Sequence, residues 1–504
     1  MNHSLKQALS HAHHLFQSKR IDEAIKQCKE IIKQYPKQSE PCILLAQIEN
    51  QRGQHESAIR ALEKASKRKP KDRDVFLMQG DLHIQLQQAA KAEKAYQSAL
   101  RLTPQDDTVK TRLAAALQLQ KTKIDKAIAL YKDVVNNQPF SADAHYNLGT
   151  AFKRKHQFIE AIAAYRKSVE FSPNDSELRL NLSNLLFETG YFEDAADELA
   201  TSNKLKPNNP TVLYQLSYVN KRLKRPQAAL EAAEQLVTMQ PSSQALSTLA
   251  AAKLMNSNYE SALIDCDLGL SKRPEDRRLL SDKTIALSGK GDKSAANDLF
   301  KLDELLAISN IDTPEGYDTI ADFNQQLTQH IDEHKGLDFS GVSHSCQKGN
   351  TSKDVVFVSP SGPFKLLSDA IRSAVAAYHR NIDQQSSHPW LQHIPEFSEL
   401  TISGWVTKLG NQGHQEGHIH DTAWISGVYY VNLPTNRGNQ AGSIEFGRAP
   451  FFYPEGDQGS IKVIEPLGGS LVLFPSYFYH RTIPFESEQD RITIAFDFRT
   501  DDFA

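Results

Sequence analysis

The chain is poor in several features that place a protein quickly. Its four cysteines (Cys28, Cys42, Cys266 and Cys346) stand far apart in 504 residues and none forms a CxxC pair. Neither a disulfide framework nor a cysteine zinc site is expected, and a reducing, cytoplasmic compartment is the plain reading. No run of eighteen apolar residues occurs, which leaves no candidate transmembrane helix. The opening MNHSLKQALSHAHHLF lacks the charged-then-apolar order of a signal peptide and reads as an amphipathic helix. Lys and Arg number 58 against 61 Asp and Glu, with no basic block, so there is no electrostatic footprint for nucleic acid. Tryptophan is scarce as well. All three (Trp390, Trp405, Trp424) fall in the last third, a first sign that the architecture changes along the chain.

What is abundant is repetition. Prolines stand at 36, 70, 104, 139, 173, 207, 241 and 274, spaced by 34, 34, 35, 34, 34, 34 and 33 residues. Twelve residues before each lies an alanine: Ala24, Ala58, Ala92, Ala127, Ala161, Ala195, Ala229 and Ala262. Each unit reads as two amphipathic helices, with a small residue where they cross and a proline that ends the second. In the unit ending at Pro173, Leu148, Gly149 and Ala151 mark the first helix and Ala161, Tyr165 and Val169 the second. This pattern resembles the tetratricopeptide repeat. The resemblance implies an all-α superhelical array over 1–308, about nine units, whose groove binds a protein or peptide partner. A ninth unit from Arg278 to about Ile308, with Ala295 and Leu299, lacks the closing proline and is expected to cap the array and dock the next domain. The cluster His11, His13 and His14 has no acid beside it and is not read as a metal site.

Past residue 308 the phase is lost. A helix is expected over about 318–334, a polar, turn-rich stretch over 343–357, and a second helix whose apolar stripe is Leu366, Ile371, Val375 and Tyr378. After Glu399 the period switches to two. LTISGWVTKL, WISGVYYVNL, SIEFG, GSLVLFP and RITIAFDF are strand-like runs separated by turn residues. The fold expected over 309–504 is a double-stranded β-helix, the jelly roll, with flanking helices.

Two stretches of this region carry chemistry. In GHIHDTAWISGVYYVNL (417–433), His418 and His420 are two residues apart, so one strand aims both the same way. His480 comes just after LVLFPSYFY, sixty residues later, and a distant third histidine completes a three-ligand face of the kind a non-haem iron site uses. Arg491 opens RITIAFDF; a buried guanidinium pairs bidentately with a carboxylate and stays charged. Thr493, two along, adds a hydroxyl on the same face.

These residues resemble the 2-oxoglutarate- and Fe(II)-dependent oxygenase superfamily. They are closer to a bacterial subfamily with an HxH, SGVYYV, FPS…H and RIS-like series, matched over about 318–498. The resemblance implies a dioxygenase that binds Fe(II) through His418, His420 and His480 and takes 2-oxoglutarate as co-substrate on Arg491 and Thr493. SGVYYVNL is also similar to the tyrosine-bearing strand of prolyl hydroxylases, which implies that Tyr430 hydrogen-bonds the co-substrate carboxylate. Joined to the repeats, it implies hydroxylation of a recruited protein or peptide.

The chain departs from the superfamily in one ligand. Most members carry an acid where His420 stands, so three sets remain open: three histidines, Asp421 re-aimed by a bulge, or the pair His414 and Glu416. A neutral third ligand leaves the site one negative charge short and asks for a carboxylate behind it. Two other functions stay in view, a non-enzymatic adaptor with a degenerate barrel and a cupin-like three-histidine metalloenzyme that does not use 2-oxoglutarate. Trp405 and Asn432 are candidates for the substrate side, the Phe and Tyr runs around 451 and 477 are expected in the core, and Glu445 is expected to face solvent.

Overall fold

The computed structural model describes all residues except 1–2, 335, 338, 340–344, 353–355, 383–386, 435–439, 455–458 and 501–504. By compactness the chain divides into two units, Met1–Leu178 and Arg179–Ala504.

The first unit is made of paired helices, from His3–Gln17 to Phe158–Phe171. The recurring alanines sit where the helices cross: Ala24, Ala58, Ala92, Ala127 and Ala161 are all 0% exposed. Gly149 shows how close the approach is, since a Cβ there would fall 2.5 Å from the Tyr165 ring. The prolines act on the residue before them. Proline Cδ disfavours the helical region for its predecessor, and Tyr35, Lys69, Thr103, Gln138 and Ser172 all leave the helix with φ between −124° and −137°.

The second unit begins with the same motif. Its first helices Pro210–Arg222, Ser243–Met255 and Arg277–Lys290 alternate with Phe192–Leu205, Pro226–Met239 and Tyr259–Lys272, and Ala195, Ala229 and Ala262 are again buried. The helix Lys293–Phe300 closes the series. Its buried contact is Ala296 rather than Ala295, and Phe300 packs 4.3 Å from Phe478. The final helical unit therefore docks the sheets, as its missing proline suggested.

Among the described residues, two antiparallel sheets complete the unit. Their strands are β1 (Ala307–Asn310), β2 (Cys346–Thr351), β3 (Thr401–Gln415), β4 (Ile425–Asn432), β5 (Ile444–Phe446), β6 (Lys462–Ile464), β7 (Ser470–Pro475), β8 (His480–Thr482) and β9 (Arg491–Arg499). The larger sheet has the order β1-β7-β4-β9-β3-β2 and the smaller β6-β5-β8. The five strand-like runs of the sequence are all strands; β1, β2, β6 and β8 are additional. The stretch read as turn-rich over 343–357 lies partly outside the described residues, and within it β2 pairs with β3. Helices Ile320–Glu333 and Pro363–Asn381 form where expected. In the second stripe Ile371 and Val375 are fully buried as expected, and Leu367 joins them in place of Leu366.

The helices cover one face of the larger sheet, which fixes what the other face carries. Tyr429 donates its hydroxyl to Asn324 Oδ1 on the Ile320–Glu333 helix at 2.6 Å. Alternation then sends Tyr430 to the opposite face, where it lies across from Thr493. The β9 residues Arg491, Thr493, Ala495 and Asp497 succeed one another along that face. Among the described residues no helix is long and apolar enough to cross a membrane.

Candidate metal centre

The three histidines predicted from spacing are brought together by backbone pairing. His418 and His480 form an isolated antiparallel bridge, with reciprocal N–H to carbonyl bonds of 3.1 Å each. Directly opposed residues share a face, and His420, two residues on, shares it too. His420 is pinned by its own N–H donating to the Ser476 carbonyl at 3.0 Å. Ring centroids lie 5.2 Å (418–420), 4.4 Å (418–480) and 5.1 Å (420–480) apart. One nitrogen of each ring lies within 4.8 Å of the others.

The hydrogen bonds decide which nitrogen that is. His418 Nδ1 meets the Glu416 carbonyl at 2.8 Å, His480 Nδ1 the Phe478 carbonyl at 3.0 Å, and His420 Nδ1 the Asp497 carboxylate at 2.7 Å. All three partners only accept, so each Nδ1 carries the proton and each Nε2 keeps its lone pair for an ion. Burial, helped by the neighbouring His420, pushes His418 down to about 4. Burial with the two neighbouring rings holds His480 well below the usual histidine range. Burial pulls on His420 as well, but the Asp497 carboxylate outweighs it and raises that ring. A divalent cation fits this donor set: three oriented nitrogens, two of them held neutral by their surroundings.

Asp497 escaped the sequence reading, although its signal was present as an acid on the Arg491 face of an apolar strand. It is 7% exposed, accepts from Ser426 Oγ at 2.6 Å as well as from His420, and supplies the negative charge that an all-histidine ligand set lacks. An imidazole donating to a carboxylate is a more basic ligand. Asp497→Asn is therefore expected to weaken divalent-cation binding roughly 10- to 100-fold with the fold intact, measured by competition with a colorimetric chelator. A change below about twofold would remove Asp497 from the site.

The two acids that competed for the third ligand are turned elsewhere. Glu416 pairs with Arg222 Nη1 at 2.9 Å, and Asp421 pairs with Arg278 Nε. Both arginines come from first helices of the last repeats, so a pair of ion bridges brackets the segment that carries His418 and His420. Nothing in the repeat pattern marked these arginines, because they occupy surface positions the pattern leaves free. Trp405 lies 5.5 Å from the His420 ring. Asn432 is exposed and spends its amide on the Asp490 carbonyl at 3.0 Å, so it belongs to the far end of β4. Glu445, expected to face solvent, is 4% exposed. Burial would raise its carboxyl, but Arg448 and Arg481 hold it below the usual range.

Arg491, Tyr430 and Thr493 are 2%, 0% and 2% exposed. Arg491 Nε donates to the Gly442 carbonyl at 3.0 Å, and its guanidinium carbon stands 5.1 Å from the centre of the Tyr430 ring. The three predicted co-substrate residues thus share the buried face that carries Asp497.

A cavity of about 570 Å³ opens at His418. Among its lining residues is Asp282, 3% exposed, whose carboxyl burial pushes from 3.8 up to about 6 against the opposing pull of Lys221 and Tyr453. A raised carboxyl contributes stability at low pH that is lost as pH rises from the unfolded value through the folded one. Near neutrality the buried charge costs at most roughly 3 kcal/mol. Asp282→Asn is expected to melt above the parent at neutral pH, with the gap closing as pH falls below the unfolded value. Circular dichroism melts across that range check this, and a gap independent of pH would refute it.

Comparisons with known proteins agree with these two parts of the molecule. Residues 15–82, 74–106, 142–175 and 210–243 match tetratricopeptide repeat families. Residues 403–497 match a family described as "Putative 2OG-Fe(II) oxygenase". The chain thus joins tetratricopeptide repeats to a C-terminal domain of that oxygenase family. Similar solved structures include MamA (41-end) from Desulfovibrio magneticus RS-1, at 23% identity over 33% of this chain and 94% of that one, with a TM-score of 0.31. Pseudomonas aeruginosa pilF is 20% identical over 40% and 92%, with a TM-score of 0.34. The C-terminal part of a TPR repeat-containing protein from Cytophaga hutchinsonii is 15% identical over 48% and 99%, with a TM-score of 0.41. No curated protein matches the chain.

Proposed function

We propose that the chain is an Fe(II)- and 2-oxoglutarate-dependent dioxygenase that hydroxylates a protein or peptide side chain recruited by its repeats. The observation that carries the reading is the set of three histidines whose Nδ1 atoms are all engaged by acceptors, inside a segment matching an oxygenase family. His418, His420 and His480 would hold Fe(II) through Nε2, with Asp497 orienting His420. Arg491 would pair with the distal carboxylate of 2-oxoglutarate, and Tyr430 and Thr493 would donate hydroxyl bonds to it. When bound, iron, 2-oxoglutarate and oxygen together supply the oxidation of a C–H bond. The protein's own part is to orient the imidazoles, seat a dicarboxylate against a guanidinium that stays charged, and keep water from both.

Residues 1–308 would select the partner and residues 309–504, a jelly roll, would hold the centre. Buried thiols at Cys28, Cys42 and Cys266, none in a disulfide, suit the reducing cytoplasm.

Anaerobic titration of the metal-free protein with Fe(II) and then 2-oxoglutarate tests the reading. A visible metal-to-ligand charge-transfer band is expected only when both are present. Iron binding without that band would favour a three-histidine metalloenzyme that does not use the dicarboxylate, and no iron binding would favour an adaptor.

A further inference from the structure

The three histidines stand on thin support of their own. His418 and His420 lie in the connection between β3 and β4, and His480 opens β8, a strand of three residues. The backbone bridge between His418 and His480 is an isolated one. Nitrogens that share an ion must nevertheless be held to within about half an ångström. The missing restraint comes from the repeats, through the helix Arg277–Lys290, which belongs to the same unit of the chain as the sheets.

One face of this helix grips both histidine-bearing segments. Arg277, Arg278, Ser281 and Asp282 follow at i, i+1, i+4 and i+5, which brings them to one side of a helix. On the first segment Arg278 Nε pairs with Asp421, next to His420, and Arg277 Nε donates to the Ala423 carbonyl at 3.0 Å. On the second, Ser281 Oγ donates to the Tyr477 carbonyl, and Asp282 accepts from Tyr479, next to His480, over a longer 3.4 Å. The two segments also meet within this contact, because Ser476 Oγ donates to the same Ala423 carbonyl that Arg277 holds. Arg277, Ser281 and Asp282 are 3%, 1% and 3% exposed. Buried polar groups are costly unless each meets its partner, so this contact admits one register where an apolar one would tolerate sliding. An earlier repeat adds Arg222, which holds Glu416 at 2.9 Å; the Glu416 carbonyl in turn accepts from Nδ1 of His418.

We propose that the helix Arg277–Lys290 is the positioning element of the metal centre: it holds the two histidine-bearing segments in register, so that cation affinity and the seating of this helix are one coupled equilibrium. Arg277, Arg278 and Ser281 act through the groups beside the histidines, as positioning residues. Such coupling is reciprocal. Whatever affinity the seated helix gives the centre, a bound cation returns as stability of the seated helix. The segment that matches an oxygenase family begins at residue 403, so its centre is completed from outside it, by a repeat. The proposal rests on the three histidines taking a divalent cation, and not on the reaction that follows.

The test uses the metal-free, full-length protein and Co(II), a divalent cation that imidazole nitrogens bind, in competition with a colorimetric chelator. Arg278→Met and Ser281→Ala, one for each segment, are each expected to weaken Co(II) binding about ten-fold, the low end for groups behind a ligand. Arg278→Lys, which keeps the charge beside Asp421, should recover most of the loss. Adding Asp421→Asn to Arg278→Met should cost less than about twofold more, since residues acting as one pair are not additive. Lys283→Met cuts the same helix's bridge to Asp267 and should leave the affinity unchanged. Hydrogen exchange of the parent gives a second readout that needs no variant to fold. Co(II) should slow exchange over 277–290 at least about five-fold and leave the helix His55–Arg68 as it was. Affinities in Arg278→Met and Ser281→Ala within about twofold of the parent, an equal loss in Lys283→Met, or exchange over 277–290 that Co(II) does not alter overturns the proposal. Absence of Co(II) binding by the parent would end the metal-centre reading and this proposal with it, whereas a silent 2-oxoglutarate titration would end only the dioxygenase reading.

Discussion

His480→Ala is expected to lose iron and turnover together, with more than about 100-fold weaker Fe(II) binding and succinate release at background. Ligand-orienting residues alone are typically worth 10- to 100-fold in metal affinity, and His480 would be a ligand itself. It is also the one histidine contributed from outside the 417–433 segment, so its removal leaves two nitrogens on a single short stretch. The fold should survive, because the pairing of His418 with His480 is made by backbone atoms, which alanine retains. Iron per chain after anaerobic reconstitution, and succinate formed per chain, are the measurements. Turnover equal to the parent would remove His480 from the centre.

Arg491→Ala is expected to separate the two ligands of the proposed centre. Iron should bind within about twofold of the parent, whereas 2-oxoglutarate should bind some 100- to 1,000-fold more weakly, since truncating one partner of a buried charge pair costs about 2–5 kcal/mol. The guanidinium is 2% exposed, so a dicarboxylate paired with it would be largely out of water. Arg491→Lys keeps the charge but not the planar fork and should recover only part of the affinity. The readout is the charge-transfer band as 2-oxoglutarate is titrated into the iron-loaded variant. A full band at the parent's midpoint would mean that the co-substrate is held elsewhere.

Much of this was legible in the sequence, for identifiable reasons. A repeat of 34 residues states its fold several times over, and each statement uses alanine and proline, the residues least replaceable where helices cross or end. The histidines were legible from their spacing of two, but not as two residues of one strand: they lie in the connection between β3 and β4, and the isolated bridge of His418 to His480 brings them together. Strands β1, β2, β6 and β8 were not, since they are short and their pairing is set by the neighbour they lie against and not by their own pattern. Glu445 was misjudged for a related reason. Alternation assigns a face, but only Arg448 and Arg481, which lie beside it in space, make burial of that carboxylate tolerable. Asp497 was visible as an anomaly, but its meaning needed the register that sets it against Ser426. Arg222 and Arg278 could not have been found, because a repeat unit leaves its groove-lining positions free to vary.

Those two arginines have a consequence for how the protein can change over generations. Arrays of this type ordinarily lengthen or shorten by whole units. Before residue 179, gain or loss of a unit leaves the bridges to Glu416 and Asp421 untouched. After it, one inserted unit between Arg222 and Arg278 would carry one of them a full repeat away from its acid and open the cavity beside His418. The number of repeats is thus free to drift at one end of the array and locked at the other.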